Sequence, residues 1–128
     1  MKSPTTKLQK ECDALLQELN HKLHKNCEAC GGPNQVGHHW IEKSRSNNLR
    51  YNLKLNLIAL CLPCHAKIHN IFGNSIVGGL NVAEAIIKRR GRAWKSRVEI
   101  EGRKLIKVNV AYYLKVKTRL EKELANLI

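Results

Sequence analysis

The sequence is poor in aromatic residues, in acidic residues and in long apolar runs. Phe, Trp and Tyr make up only 5% of its 128 residues, so the protein is not built around stacked rings. The longest apolar run, Leu57–Leu62, is far shorter than the ~20 residues that cross a bilayer. The segment Met1–Lys10 lacks the apolar stretch of an export signal. We therefore expect no membrane segment and, by default, a cytoplasmic location.

The scarcity of acidic residues leaves a large positive charge. Ten Asp and Glu residues face 23 Lys and Arg residues, which gives a net charge of +13 with histidine neutral. Such a surface repels basic proteins and attracts polyanions, of which nucleic acid is the commonest. The alternative is a protein that is basic only for solubility. The length favours a single domain, 1–128, over two independent cores.

The hydrophobic pattern predicts an α+β fold in the first half of the chain. Apolar residues with helical spacing indicate an N-terminal helix at 5–25. Two short strands follow, Gly37–Glu42 and Leu57–Leu60, joined by a polar, basic loop at Lys43–Leu55. A helix at Pro63–Ile71 completes a strand, loop, strand, helix order, with proline in its first turn.

The remainder, 80–128, is predicted to be a helical, basic extension. Glycines at Gly73–Gly79 indicate a mobile connection to it. Asn81–Arg90 has the cap pattern of a helix, and Gly91 follows its end. Weak alternation over Trp94–Val108 favours a hairpin, and Asn109–Leu127 shows the apolar face of a last helix.

Four of the five cysteines form two C-x-x-C pairs, Cys27-x-x-Cys30 and Cys61-x-x-Cys64. Each tight turn can present two thiolates to one ion, so the two pairs supply the tetrahedral shell of a structural zinc. A disulfide framework is the weaker interpretation in a reducing cytoplasm. A redox pair would need a thioredoxin-like βαβ setting, which is missing. Cys12 lies on the apolar face of the first helix and is predicted to be a core residue.

Four of the six histidines lie between or directly after the cysteine pairs. His65 and His69 are four residues apart, which places both rings on one helix face in a chelating arrangement. His38 and His39 are neighbours on a predicted strand and point to opposite sides, so one can bind a metal while the other addresses a substrate. Taken alone, either pair is more often a set of partly exposed, non-functional histidines; the two pairs together, beside the cysteine turns, favour a functional site. The remaining two are expected to be solvated at the end of the first helix: His21 and His24.

The chain resembles the HNH endonucleases, also called ββα-metal nucleases, over 27–70. The resemblance rests on these residues in order: Cys27-x-x-Cys30, Gly37-His38-His39-Trp40, Asn56, Cys61-x-x-Cys64-His65 and His69. Many members have Asp-His in place of His38-His39, but colicin-type nucleases share both the His-His pair and the His-x-x-x-His spacing. The segment Ser44–Asn52 bears a looser likeness to phage recombination nucleases.

This resemblance implies a fold and a mechanism. The fold is a small ββα-metal motif stapled by the structural zinc. His39 would be the general base, and Asn56 would orient it or brace its loop. One catalytic divalent ion would be held by His38, His65 and His69. The implied products carry 5′-phosphate and 3′-hydroxyl ends. Because neutral imidazoles are softer than carboxylates, we expect Mn²⁺ or Ni²⁺ to serve at least as well as Mg²⁺, with Zn²⁺ a further candidate.

The positive charge is concentrated outside this motif. Lys88–Lys107 has nine basic and two acidic residues, a net charge of +7. We interpret it as an arm that contacts DNA phosphates without reading sequence. Basic residues between the strands are second candidates, nearer the chemistry. The predicted DNA-contacting residues are Arg45, Arg50, Lys54, Lys88, Arg89, Arg90, Arg92, Lys95 and Arg97.

The leading prediction is a metal-dependent DNA endonuclease, with a role in phage recombination or DNA processing in the host cytoplasm if the chain is phage-encoded. The alternatives are a non-catalytic zinc-knuckle module that binds nucleic acid and a zinc-stapled scaffold that binds an acidic protein. Sequence-specific, nonspecific and branch-specific cutting are all compatible with the motif. A homodimer could form through the first helix or Asn109–Leu127, although each is expected to pack on its own core.

Overall fold

The fold combines helices with one small antiparallel sheet. The computed structural model describes residues 3–43, 45–69 and 76–127. Within these ranges the elements are, in order, α1 (Pro4–Leu23), β1 (Val36–His39), α2 (Leu53–Asn56), β2 (Leu57–Leu60), α3 (Leu62–His69), α4 (Ile76–Arg90), α5 (Arg92–Gly102) and α6 (Val110–Ala125). The architecture is therefore α+β, as predicted. Within the described ranges, no helix has the length and apolarity needed to cross a bilayer.

Helix α1 begins and ends close to the predicted limits of 5–25. The Ser3 hydroxyl accepts a hydrogen bond from the Thr6 N–H at 3.2 Å, which caps the first turn and places Pro4 at its start. The helix ends at Leu23, where the next residue turns to an extended backbone. Its buried face includes Cys12, which is fully buried as predicted.

The two strands pair antiparallel, with Val36 opposite Leu60 and His39 opposite Leu57. All four residues of β2 are buried, because the strand crosses the interior. Gly37 is required by this packing, since an added Cβ would lie 2.9 Å from the Leu57 Cδ2. Helix α3 follows β2 directly, so the structure contains the predicted strand, strand, helix order.

The segment between the strands is more ordered than the loop predicted for Lys43–Leu55. Its last part forms the short helix α2, where the Asn52 side chain accepts from the Leu55 N–H at 3.0 Å. An Asn that caps a helix in this way satisfies one of its unpaired N–H groups.

Helix α4 corrects two predictions. It begins at Ile76, so Asn81 lies inside the helix and does not cap it. The mobile connection predicted for Gly73–Gly79 is therefore wrong from Ile76 onward, and its first residues lie outside the described ranges. The predicted end is right, since Gly91 follows with φ of +97°, a conformation that glycine adopts without strain.

The hairpin predicted for Trp94–Val108 is wrong. Residues Arg92–Gly102 form helix α5, followed by an irregular segment before α6. Trp94 is partly buried and Val98 fully buried, and their spacing of four puts both on one helix face. Burial of this pair outweighs the weak alternation on which the hairpin prediction depended.

Two groups of buried residues hold these elements together. The first lies between α1 and α6 and includes Leu16, Tyr51 and Leu120. The second surrounds the cysteine pairs and includes Ile58 of β2 and Ile86 of α4. Strand β1 carries His38 and His39, and helix α3 carries His65 and His69, which are the predicted functional histidines.

Candidate active site

The four paired cysteines converge on one point. Their Sγ atoms all lie within 4.8 Å of one another, and the Cys30 and Cys61 sulfurs are 3.6 Å apart. Four sulfurs around a zinc ion at about 2.3 Å would be separated by about 3.8 Å. The cluster therefore has the spacing of a four-thiolate metal site.

Backbone N–H groups donate to both sulfurs of the first pair, and they favour the ionised form of Cys27 that a metal requires. The Ala29 N–H donates to the Cys27 sulfur at 3.4 Å, and the Gly32 N–H donates to the Cys30 sulfur at 3.4 Å. Burial opposes ionisation of Cys27, but hydrogen bonds from backbone N–H groups outweigh it and lower its pKa to about 7. The tight turn after Cys27 thus favours metal binding.

Three histidines form a second convergent group. Nitrogen atoms of His38, His65 and His69 lie within 4.8 Å of one another, and the Nε2 atoms of His65 and His69 are 2.8 Å apart. Two nitrogens bound at right angles to one ion at ~2.1 Å would be about 3.0 Å apart. Strand β1 supplies one ring and consecutive turns of α3 supply the other two, so a divalent ion fits this group.

These histidines are electrostatically suited to hold a cation. Burial, together with the neighbouring rings of His69 and His65, lowers the pKa of His38 to about 3. Burial also lowers the pKa of His65. Both rings are therefore neutral at neutral pH and keep a lone pair for a metal.

His39 lies in the same cleft but outside the convergent group. Together with the other three rings it lines a cavity of about 590 Å³. Its Nε2 lies 2.9 Å from the backbone carbonyl oxygen of Arg50. Because a carbonyl can only accept, neutral His39 must carry its proton on Nε2, which leaves Nδ1 as the basic nitrogen. Burial lowers the pKa of His39, although this hydrogen bond acts in the opposite direction.

Asn56 is fully buried and braces the loop that follows β1. Its Oδ1 accepts from the Ile41 N–H at 2.7 Å, and its Nδ2 donates to the carbonyls of Ile41 at 3.1 Å and Leu49 at 3.4 Å. The side chain therefore joins both ends of this loop. Its hydrogen bonds in the described part of the chain go to the loop backbone and not to the ring of His39.

The predicted DNA-contacting residues fall into two groups. Several form ion pairs within the protein: Arg45 with Glu42, Arg50 with Asp13, Arg90 with Glu28, and Lys95 with Glu99. The Arg50 and Arg90 pairs are mostly buried, whereas Arg45 is exposed. The others are exposed: Lys54, Lys88, Arg89, Arg92 and Arg97.

Three residues near the site are missing from the sequence-based prediction. Gln17 lines the histidine cleft and contacts Gly37, Asp13 pairs with Arg50, and Glu28 pairs with Arg90. All three are polar residues whose partners are distant in sequence. For Asp13 and Gln17 the one available signal is their position on the polar side of α1, and for Glu28 the sequence offers none.

Two antiparallel strands followed by a helix, with convergent histidines and a cysteine cluster, define a small metal-binding ββα unit. Residues 27–70 match the family model described as HNH endonuclease, so the predicted resemblance is confirmed. The match indicates a nuclease-type function related to DNA. Searches of curated proteins and of solved structures gave no match to this chain.

Proposed function

We propose that the protein is a metal-dependent DNA endonuclease that hydrolyses phosphodiester bonds to 5′-phosphate and 3′-hydroxyl ends. The observation that carries this proposal is the shared cleft of His39 and the three convergent histidines. A protein that only bound nucleic acid would have no need for a base with a defined tautomer beside a metal-binding group. The looser likeness of Ser44–Asn52 favours a role in phage recombination or DNA processing.

His38, His65 and His69 would hold one divalent ion. When bound, such an ion stabilises negative charge on the phosphate and on the leaving 3′ oxygen. The protein contributes three neutral donors on two rigid elements, which fixes their mutual distances. A four-cysteine zinc would clamp the start of this motif to the start of α3 and keep the elements in register.

His39 would act as the general base. Its proton sits on Nε2 against the Arg50 carbonyl, so Nδ1 is the nitrogen that takes the proton of the attacking water. Its lowered pKa keeps the ring unprotonated at cellular pH. Asn56 would maintain the loop that carries the Arg50 carbonyl, because it joins Ile41 to Leu49.

Exposed cations would hold the DNA. Lys88, Arg89 and Arg92 lie at the junction of α4 and α5, within the segment Lys88–Lys107 that carries +7 of the net charge of +13. Contacts from such residues go to phosphates and give affinity without sequence preference.

The test is cleavage by the His39→Ala variant on plasmid, single-stranded, branched and RNA substrates, with and without a chelator. We expect at least a 10²-fold loss of cleavage, within the usual range for a general base, and unchanged DNA affinity. His24→Ala is the matched control, because His24 is an exposed histidine at the end of α1. If the wild-type protein cuts none of these substrates, the protein is a zinc module that binds nucleic acid.

A further inference from the structure

Helix α1 contacts two backbone segments of the candidate active site. Asp13 and Gln17 are four residues apart, so their side chains lie one turn apart on the same helix face. Gln17 contacts β1 and Asp13 contacts Arg50 in the segment that precedes α2. Neither residue belongs to the metal-binding group or acts as the proposed base.

Gln17 holds the strand that carries the histidines. Its Oε1 accepts from the Gly37 N–H at 2.8 Å, and its Nε2 donates to the Gly37 carbonyl at 2.9 Å. Both backbone groups of one residue are thus tied to one side chain. An added Cβ on Gly37 would lie 2.9 Å from the Gln17 oxygen, so the approach depends on glycine. His38 and His39 follow immediately along the strand.

Asp13 contacts the residue whose backbone carbonyl accepts the hydrogen bond of His39. Its carboxylate accepts two hydrogen bonds from the Arg50 guanidinium, at 3.1 Å from Nε and at 2.8 Å from Nη2. The two side chains are only 28% and 14% exposed, and a two-point, charge-assisted pair of this kind is geometrically restrictive. The carbonyl of the same Arg50 receives the His39 Nε2–H at 2.9 Å.

We propose that Asp13 and Gln17 are positioning residues that together set the orientation and tautomer of His39. Gln17 fixes the backbone from which the ring extends, and Asp13 fixes, through Arg50, the carbonyl to which the ring donates. This inference rests on the proposed role of His39 as general base. It gives Arg50 an internal role in place of the DNA contact predicted for it.

The kinetic test uses Asp13→Asn and Gln17→Met, which keep side-chain size and remove the charge or the hydrogen bonds. Each variant should lower kcat for plasmid cleavage with Mn²⁺ by roughly 10-fold, as is usual for supporting residues, and change KM by less than about twofold. Asp13→Glu should restore most of the rate because it retains a carboxylate. Glu11→Gln is the matched control, since it breaks an ion pair of the same helix with Lys117.

A spectroscopic test does not depend on cleavage. Ring ¹⁵N shifts of His39 should report the Nε2–H tautomer in the wild type and in Glu11→Gln, and a mixture of tautomers in Asp13→Asn and Gln17→Met. The proposal is overturned if His39 keeps the Nε2–H tautomer in both site variants and their kcat equals that of the control. If the wild type cleaves no nucleic acid, the proposed function fails, and the tautomer measurement alone decides whether α1 positions the ring.

Discussion

Arg90 and Glu28 form a two-point ion pair that joins the end of α4 to the first cysteine turn. The Arg90 Nε and Nη2 lie 2.6 and 2.9 Å from the two carboxylate oxygens, and the side chains are 15% and 11% exposed. The guanidinium also donates to the carbonyls of Lys54 and Leu57, and it lies 4.9 Å from the Trp94 ring. One side chain thus links the cysteine turn, the sheet and the basic extension.

We expect Arg90→Ala to destabilise the fold by about 3–5 kcal/mol, because it leaves the Glu28 carboxylate buried without its partner. Arg89→Ala is the matched control. It should change the free energy of unfolding by no more than about 0.5 kcal/mol, since the Arg89 side chain is exposed. Urea denaturation followed by circular dichroism measures both. Equal stability of the two variants would contradict a structural role for Arg90.

The pairs formed by Arg90 and Arg50 also show where prediction from sequence ends. Their acidic partners lie 62 and 37 residues away, and no local periodicity encodes contacts at such separations. Each C-x-x-C pair and the His65–His69 pair could be predicted because they depend on spacings of three or four residues within single turns. The addition of His38 to the second group was implied by the resemblance to HNH endonucleases. Strand β2 lies at its predicted residues because a short apolar run is a local signal, and α3 begins one residue before the predicted Pro63.

The incorrect hairpin has a different cause. Over Trp94–Val108 the apolar residues are too sparse to separate a period of two from a period of 3.6. Helix α5 is stabilised by contacts outside its own sequence, such as the 2.7 Å hydrogen bond from the Trp94 indole N–H to the Leu55 carbonyl. Such tertiary contacts override weak local preference.

Removal of the cysteine-bound metal should unfold the region around β2 and α3. A zinc chelator, or Cys30→Ser, is expected to lower the melting temperature by more than about 10 °C, because metal binding is coupled to folding in small sites. Cys30 is exposed, so its replacement tests the metal and not core packing. Metal content and thermal denaturation are measured together. Cys12→Ala should keep one zinc per chain, and loss of zinc from it would contradict the assignment of the four ligands.

Cleavage should be supported by ions that accept imidazole. With three neutral histidines as ligands, we expect Mn²⁺ or Ni²⁺ to give rates at least equal to those with Mg²⁺, which prefers oxygen donors. A series of divalent ions on plasmid DNA measures this after the protein is stripped of its catalytic metal. His65→Ala should weaken Mn²⁺ binding, with His21→Ala as the control. Strict dependence on Mg²⁺ would exclude the three-histidine site.

DNA affinity should depend on the exposed cations at the junction of α4 and α5. Each phosphate contact releases counterions, so the logarithm of affinity falls with the logarithm of salt concentration by about 0.9 per contact on duplex DNA. The triple variant Lys88→Ala, Arg89→Ala, Arg92→Ala should therefore reduce this slope by about 2–3. Anisotropy of a labelled duplex over a range of salt concentrations measures the slope.

A control for this prediction removes the same charge elsewhere. Lys10, Lys115 and Lys122 are exposed residues of α1 and α6, and their replacement by alanine also lowers the net charge by three. If general attraction of the +13 surface dominated, the salt dependence of DNA affinity would fall by the same amount in both triple variants. A larger loss in the variant at the junction places the phosphates against α4 and α5. Equal losses would mean that this segment makes no direct contact with DNA.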